Sequence, residues 1–171
     1  MHVVKSDPSL SKSGAYREIG VQLQGLFAGE RNALANTANM CALLYQMLPD
    51  VNWVGFYFRQ GDELVLGPFQ GKVACVRIPM GRGVCGTAAA RREILVVPDV
   101  NEFPGHIACD AASRSEIVLP LVQHSRLLGV LDLDSPRLAR FDDEDRQGLL
   151  AAVNVLLNSS QLGKLADDAA E

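Results

Sequence analysis

Cysteine is the residue type that most plainly offers chemistry here, and four are present, at positions 41, 75, 85 and 109. Cys41 falls on the apolar side of a helical pattern and reads as core, the usual place for a free cysteine. Cys85, in Gly83-Val-Cys-Gly86, and Cys109, in His106-Ile-Ala-Cys-Asp110, are flanked instead by glycine or by small and polar residues. A ligand can approach thiols so placed. Thiol chemistry on an oxidised centre needs one thiolate to attack and a second thiol to collapse the resulting sulfenic acid into a disulfide, so two cysteines suffice and a third allows a relay. A metal centre would draw on His106 and Cys109 with Cys75 and Cys85, but the sequence holds no C-x-x-C pair, and we expect no metal.

Carboxylates form a second group. Glu116 opens one predicted strand, and Asp132 and Asp134 lie two residues apart near the end of the next, facing the same side. Antiparallel pairing would bring all three together. Crowded carboxylates raise one another's pKa, which leaves at least one protonated near neutrality as a proton donor while the others can hold an ammonium group. Trp53 and Tyr57 share a strand face and would wall a small pocket. Gly81 and Gly83 offer either backbone N–H donors for a carboxylate or a turn before a short helix over Thr87–Arg92. The start of that helix, beside Cys85, would favour a thiolate there.

The elements that position these groups follow from periodicity. Ile19, Leu23, Leu26 and Phe27 predict a helix over about Ser13–Gly29. In a second helix over Arg31–Leu48, the positions Leu34, Ala38, Cys41, Leu44, Tyr45 and Leu48 form one buried stripe that Pro49 ends. The period then changes to two: in Val51–Phe58, Trp53, Gly55 and Tyr57 share one face and Val54, Phe56 and Phe58 the other. Further strands are predicted at Glu63–Leu66, Val73–Ile78, Ile94–Val97, Glu116–Gln123 and Leu127–Asp134, the last two joined as a hairpin through His124, Ser125 and Arg126. Phe141, Leu149, Leu150, Val153, Leu156 and Leu157 mark a closing helix whose first turn suits Asp142, Asp143 and Glu144. The expected architecture is α+β, one domain over residues 1–171 with its core at about 14–160. A polar lead-in and tail frame a central antiparallel sheet of about six strands flanked by N- and C-terminal helices. The irregular stretch Pro98–Ser115, which carries Cys109, has the length of a functional loop.

Composition narrows the ligand class. Of the 171 residues 48% are hydrophobic and 21% charged, and sixteen Lys and Arg against twenty Asp and Glu leave a net charge of −4. That balance argues against a nucleic-acid surface or a polybasic membrane patch and favours a small molecule. No apolar run approaches the roughly 18 residues of a membrane span, and Met1–Pro8 lacks a signal peptide's hydrophobic stretch, so the expected location is cytoplasmic, where thiols stay reduced.

The runs Ile78-Pro-Met-Gly-Arg-Gly-Val-Cys-Gly-Thr-Ala-Ala89, Ile94-Leu-Val-Val-Pro-Asp-Val100, Leu128-Gly-Val-Leu-Asp-Leu-Asp-Ser135 and Phe141-Asp-Asp-Glu-Asp145 resemble the GAF-domain pattern over most of the chain. Within that family, Asn52-Trp-Val-Gly-Phe-Tyr57, Gly67-Pro-Phe-Gln-Gly71, Cys75, Gly83-Val-Cys-Gly86, His106-Ile-Ala-Cys-Asp110 and Ser113-Arg-Ser-Glu-Ile-Val-Leu-Pro120 are similar to the free methionine-(R)-sulfoxide reductases. The resemblance implies Cys109 as the attacking nucleophile, Cys85 as the resolving thiol and Cys75 as an alternative or downstream partner. It implies Glu116 as proton donor to the sulfoxide oxygen, and Trp53, Tyr57, Glu116, Asp132 and Asp134 as substrate-binding residues. It further implies a homodimer, no organic cofactor, and recharging by an external dithiol protein, thioredoxin. The competing expectation is a redox- or ligand-sensing GAF module without turnover, which an assay with a reductant would separate.

Overall fold

The computed structural model describes residues 9–105 and 111–166; His106 and Cys109 lie outside them. Helices α1 (Lys12–Leu26) and α2 (Ala33–Met47) open the chain, followed by strands β1 (Trp53–Gln60), β2 (Glu63–Gln70) and β3 (Arg77–Pro79). Helix α3 (Gly83–Arg91), strands β4 (Leu95–Val97), β5 (Ser115–Gln123) and β6 (Arg126–Ser135), and helix α4 (Asp143–Ser159) complete it. The strands pair antiparallel in the order β3-β2-β1-β6-β5-β4. This is the expected α+β arrangement of six strands between terminal helices. Among the described residues, no helix is long and apolar enough to cross a membrane.

The alternation in β1 separates two apolar layers. Val54, Phe56 and Phe58 join Ile19, Leu23, Leu44, Leu149 and Val153 beneath α1, α2 and α4. Trp53 and Tyr57 face the other way, into a smaller layer with Val84, Cys85, Ala88 and Val118 beneath α3. The larger layer is the main core and holds the sheet rigid; the smaller one is where chemistry-bearing side chains gather.

Helix ends follow their capping residues. Ser11 Oγ accepts from the Gly14 N–H at 3.2 Å and Asn32 Oδ1 from the Ala35 N–H at 3.0 Å, satisfying donors that a helix start leaves open. Asp142 and Asp145 form a reciprocal capping box on α4. Asp145 is fully buried and also ties α1 to α4, accepting from Tyr16 Oη at 2.8 Å, from Lys12 Nζ and from Arg140 Nη1 at 3.0 Å.

Three expectations need correction. On α2, Leu34 and Tyr45 point outward, at 57% and 40% exposure, and Ala38 is exposed with them. The buried side instead carries Asn36 and Thr37 among Met40, Cys41, Leu44 and Met47. Burial of those polar residues is tolerated because Asn36 Nδ2 donates to Glu30 O and Ser160 Oγ, and Thr37 Oγ1 to Ala33 O. The strand predicted over Val73–Ile78 shrinks to Arg77–Pro79, because the preceding residues leave the ladder to bond the aromatic side chains of β1. Helix α3 starts at Gly83 rather than Thr87, which puts Cys85 inside its first turn.

Candidate active site

Strand β6 is the axis of the site. Asp134 pairs with Trp53 of β1 on one side and Glu116 of β5 on the other, and Asp132 pairs with Gly55 and Val118. Residues two apart on a strand share a face, so Trp53, Tyr57, Glu116, Asp132 and Asp134 all present to the smaller layer. Helix α3 crosses above them and brings Cys85 down onto the carboxylates, its Sγ donating to Glu116 Oε1 at 3.8 Å. Together these residues line a cavity of about 40 Å³ that Val73, Ala74, Ile78, Arg82, Gly83, Val84 and Ser113 complete. That volume holds a water molecule or two.

The aromatic wall depends on a glycine. Trp53 and Tyr57 stack at 6.0 Å between centroids, and Trp53 also stacks on Phe69 at 5.5 Å. The indole lies across Gly55, where a Cβ would collide with its ring. Both polar ends of the wall reach the connection between β2 and β3: Trp53 Nε1 donates to Lys72 O at 3.1 Å and Tyr57 Oη donates to Cys75 O at 3.0 Å. The connection is drawn tightly onto the wall. Gly71 has φ of 129°, and a Cβ there would stand 2.6 Å from Trp53 Cδ1 and 2.8 Å from Asn52 O. Only glycine accepts both the conformation and the approach.

Burial sets the protonation of the cluster. Glu116 and Asp132 are 5% and 6% exposed. Burial, then the charges of Asp132 and Asp134, push the Glu116 carboxyl well above the usual carboxylate range. Asp132 is raised to about 7, chiefly by burial. The hydrogen bond between them raises Glu116 and lowers Asp132, so Glu116 is the member that holds the proton. One Asp132 oxygen, Oδ1, is buried without a hydrogen-bond partner, an acceptor open to a cationic or protic ligand. Asp134 is half-buried at the rim.

Cys85 departs from expectation. The α3 start was expected to favour its thiolate, but burial and the neighbouring Asp132 and Glu116 push the thiol well above its ordinary value. Desolvation and two acidic neighbours outweigh a helix end whose effect is a fraction of that size. Cys85 and Cys41 are free thiols, whereas Cys75 is disulfide-bonded. Cys41 sits in the main core with Sγ 3.2 Å from Pro68 O. Among the described residues, the group able to hold a cation is Cys85, Glu116 and Asp132, whose ligand atoms lie within 4.8 Å of one another. Each would first have to release the proton that burial favours.

At Gly81 the second of the two readings holds, a turn before a helix. The Gly81 N–H is taken by Gly86 O at 2.8 Å and the Arg82 N–H by Pro79 O at 3.1 Å, so Gly81 has no N–H to give a ligand. Gly83 and Val84, in the first turn of α3, line the cavity, and a helix start leaves its N–H groups open. Arg82 and Ser113 line the cavity and were missed by sequence reasoning. An arginine inside a glycine-rich turn and a serine inside a long loop carry no periodic signal.

Residues 22–158 match the GAF domain family. The chain is 58% identical over 140 residues to the free methionine-R-sulfoxide reductase of Escherichia coli, covering 82% of this chain and 85% of that protein. It is 41% identical over 165 residues to the free methionine-R-sulfoxide reductase of Saccharomyces cerevisiae, covering 92% of this chain and 91% of that one. Its fold superposes with a TM-score of 0.90 on the crystal structure of the free methionine-R-sulfoxide reductase of Neisseria meningitidis in complex with its substrate. That protein is 44% identical, over 96% of this chain and 99% of the other.

Proposed function

The chain belongs to the GAF-domain family and, within it, to the free methionine-R-sulfoxide reductases, and we propose that it reduces the free amino acid by a sulfenic acid and disulfide cycle. The observation that carries the reading is Glu116: a buried carboxylic acid that keeps its proton, beside an aromatic wall and two further carboxylates. A sulfoxide oxygen only accepts hydrogen bonds, and its basicity rises as the sulfur is attacked. A neutral acid aimed at it is the general acid the step needs.

In this reading the Cys109 thiolate attacks the sulfoxide sulfur while Glu116 gives its proton to the oxygen. Methionine leaves with two electrons more and the oxygen stays on Cys109 as a sulfenic acid. A second thiol attacks that sulfur, forming the S–S bond and releasing water. We assign this resolving step to Cys75, not Cys85, because Cys75 is the cysteine found in a disulfide and Cys85 is a free, protonated thiol. The partner of Cys75 in this reading is Cys109, the nucleophile that the resemblance implies. An external dithiol protein, thioredoxin, then reduces the disulfide by exchange.

Trp53 and Tyr57 pack on the S-methyl end, Asp132 and Asp134 receive the ammonium group, and the first turn of α3 with Arg82 meets the carboxylate. The reading needs no metal or organic cofactor, and it places the protein in a reducing compartment such as the cytoplasm. A homodimer belongs to it by resemblance. The test is Glu116→Gln in a single turnover, where loss of methionine formation with substrate still bound supports the acid and an unchanged rate removes it.

A further inference from the structure

The connection from Gly71 to Val76 serves the pocket and the redox cycle at once. Val73 and Ala74 wall the cavity, and the next residue is the disulfide-bonded Cys75. Three contacts fasten this stretch to β1: Gly71 packs against the Trp53 indole, Lys72 O accepts from Trp53 Nε1, and Cys75 O accepts from Tyr57 Oη. On the far side, Val76 O accepts from the Leu66 N–H at 3.0 Å. Cys75 is therefore held at its own carbonyl and at both flanks, in a stretch that otherwise has no regular structure.

We infer that Tyr57, through its hydroxyl, is a positioning residue for the resolving thiol: it holds the Cys75 backbone where the Cys75 sulfur can reach the sulfenic acid. The inference rests on the assignment of the resolving step to Cys75. Tyr57 is 1% exposed and its hydrogen bond to Cys75 O is partly buried, so the bond competes less with water than an exposed one and holds the carbonyl in place. Trp53 makes the second fastening, three residues earlier. The step served is condensation of the sulfenic acid with the Cys75 thiol. The S–S bond forms, the S–O bond breaks, and water leaves with the hydroxyl and the thiol proton. Bringing two reacting groups into contact is what a fixed backbone contributes to such a step.

The same stretch carries two cavity-lining residues and Cys75, so its two aromatic fastenings hold both together. Loss of the Tyr57 hydroxyl should then separate the two half-reactions. A role confined to substrate binding would slow methionine formation, and a role in stability alone would leave the ratio of the two steps where it was.

The experiment mixes fully reduced enzyme with one equivalent of free methionine (R)-sulfoxide without any external reductant. Methionine is followed by chromatography of quenched samples, the sulfenic acid by dimedone capture, and the disulfide by intact mass after alkylation. Tyr57→Phe keeps the ring and removes only the hydroxyl. We expect disulfide formation to slow at least tenfold more than methionine formation, with captured sulfenic acid accumulating. Trp53→Phe, which removes the other donor, should shift the ratio in the same direction. Disulfide formation in Tyr57→Phe that keeps pace with methionine formation within twofold of the parent ratio overturns the positioning role. Cys75→Ser runs in parallel. If it stalls as the sulfenic acid while Tyr57→Phe keeps the parent ratio, the positioning role alone is wrong. If it closes an intramolecular disulfide at the parent rate, the assignment of Cys75 is wrong and the inference falls with it.

Discussion

Glu116 on β5 stands directly opposite Asp134 on β6, and its carboxyl is hydrogen-bonded to Asp132 two residues earlier on the same strand. Three acids on one face of one hairpin cannot all ionise in a buried setting, so the proton that stays on Glu116 is a consequence of strand register.

Glu116→Gln keeps the volume and a hydrogen-bonding group but supplies no acid. We expect kcat to fall by about 10²-fold or more, in line with a lost general acid, with a smaller change in KM. Single-turnover kinetics measure it, and a rate within about twofold of the parent would rule Glu116 out.

Asp132 has an ordinary value near 3.8 and is raised to about 7 in the folded protein. The folded chain therefore holds a proton that the unfolded chain gives up from about pH 4. The contribution of this group is fully present below the unfolded value and is lost as pH rises through 7. Asp132→Asn does not titrate, so its stability relative to the parent should improve between pH 5 and pH 8, by on the order of 2 kcal/mol. Urea denaturation at the two pH values, in one redox state, tests this; a stability difference independent of pH would contradict it.

Cys85→Ser should retain catalytic cycling with a dithiol reductant, since burial and its acidic neighbours hold this thiol protonated. In the protein with Cys75 oxidised, iodoacetamide at pH 7 should label neither Cys41 nor Cys85 without denaturant. Rapid native labelling of Cys85, identified by peptide mass, would show that its environment has been misread.

Much of this arrangement was legible before any coordinates, and what was not has physical causes. Alternation in Trp53–Phe58 separated pocket from core correctly because a period of two leaves no choice of face. The short connection at His124–Arg126 was enough to pair β5 with β6 and bring Glu116 to the aspartates. The α2 stripe was shifted because Asn36 and Thr37 are buried with their hydrogen bonds made, which hydrophobicity patterns cannot register. Val73–Ile78 reads as strand because Val73, Val76 and Ile78 are β-formers, but only Arg77–Pro79 pairs. Before Arg77, Lys72 O and Cys75 O accept from the side chains of Trp53 and Tyr57, contacts without sequence periodicity. Cys85 reads as thiolate because the helix start is visible in sequence and the packing of α3 onto the carboxylates is not.

Stability away from the site should hinge on Asp145, which is fully buried and shared by Lys12, Tyr16 and Arg140. Asp145→Ala leaves Arg140 with a buried, uncompensated charge and should cost about 3–5 kcal/mol. Urea unfolding would measure the loss, and a cost below about 1 kcal/mol would contradict the shared role.

The proposed binding mode sets Asp132 and Asp134 against the ammonium group of a free amino acid and the first turn of α3 with Arg82 against its carboxylate. N-acetyl methionine sulfoxide amide has neither charge and should lose at least 10²-fold in kcat/KM, because the groups meant for those charges are left unpaired. Equal kcat/KM for the two substrates would refute this selectivity.

The central claim is that one sulfoxide is exchanged for one disulfide that includes Cys75. Its most direct measurement takes fully reduced protein with no external reductant and supplies each free methionine sulfoxide epimer in turn. Methionine, lost thiols and the mapped disulfide are then counted. We expect one methionine per chain from the R epimer, loss of two thiols, and a disulfide joining Cys75 to Cys109 with Cys41 and Cys85 still free. Methionine formed with Cys75 and Cys109 both still reduced, or a disulfide at Cys85 in place of Cys75, would contradict it.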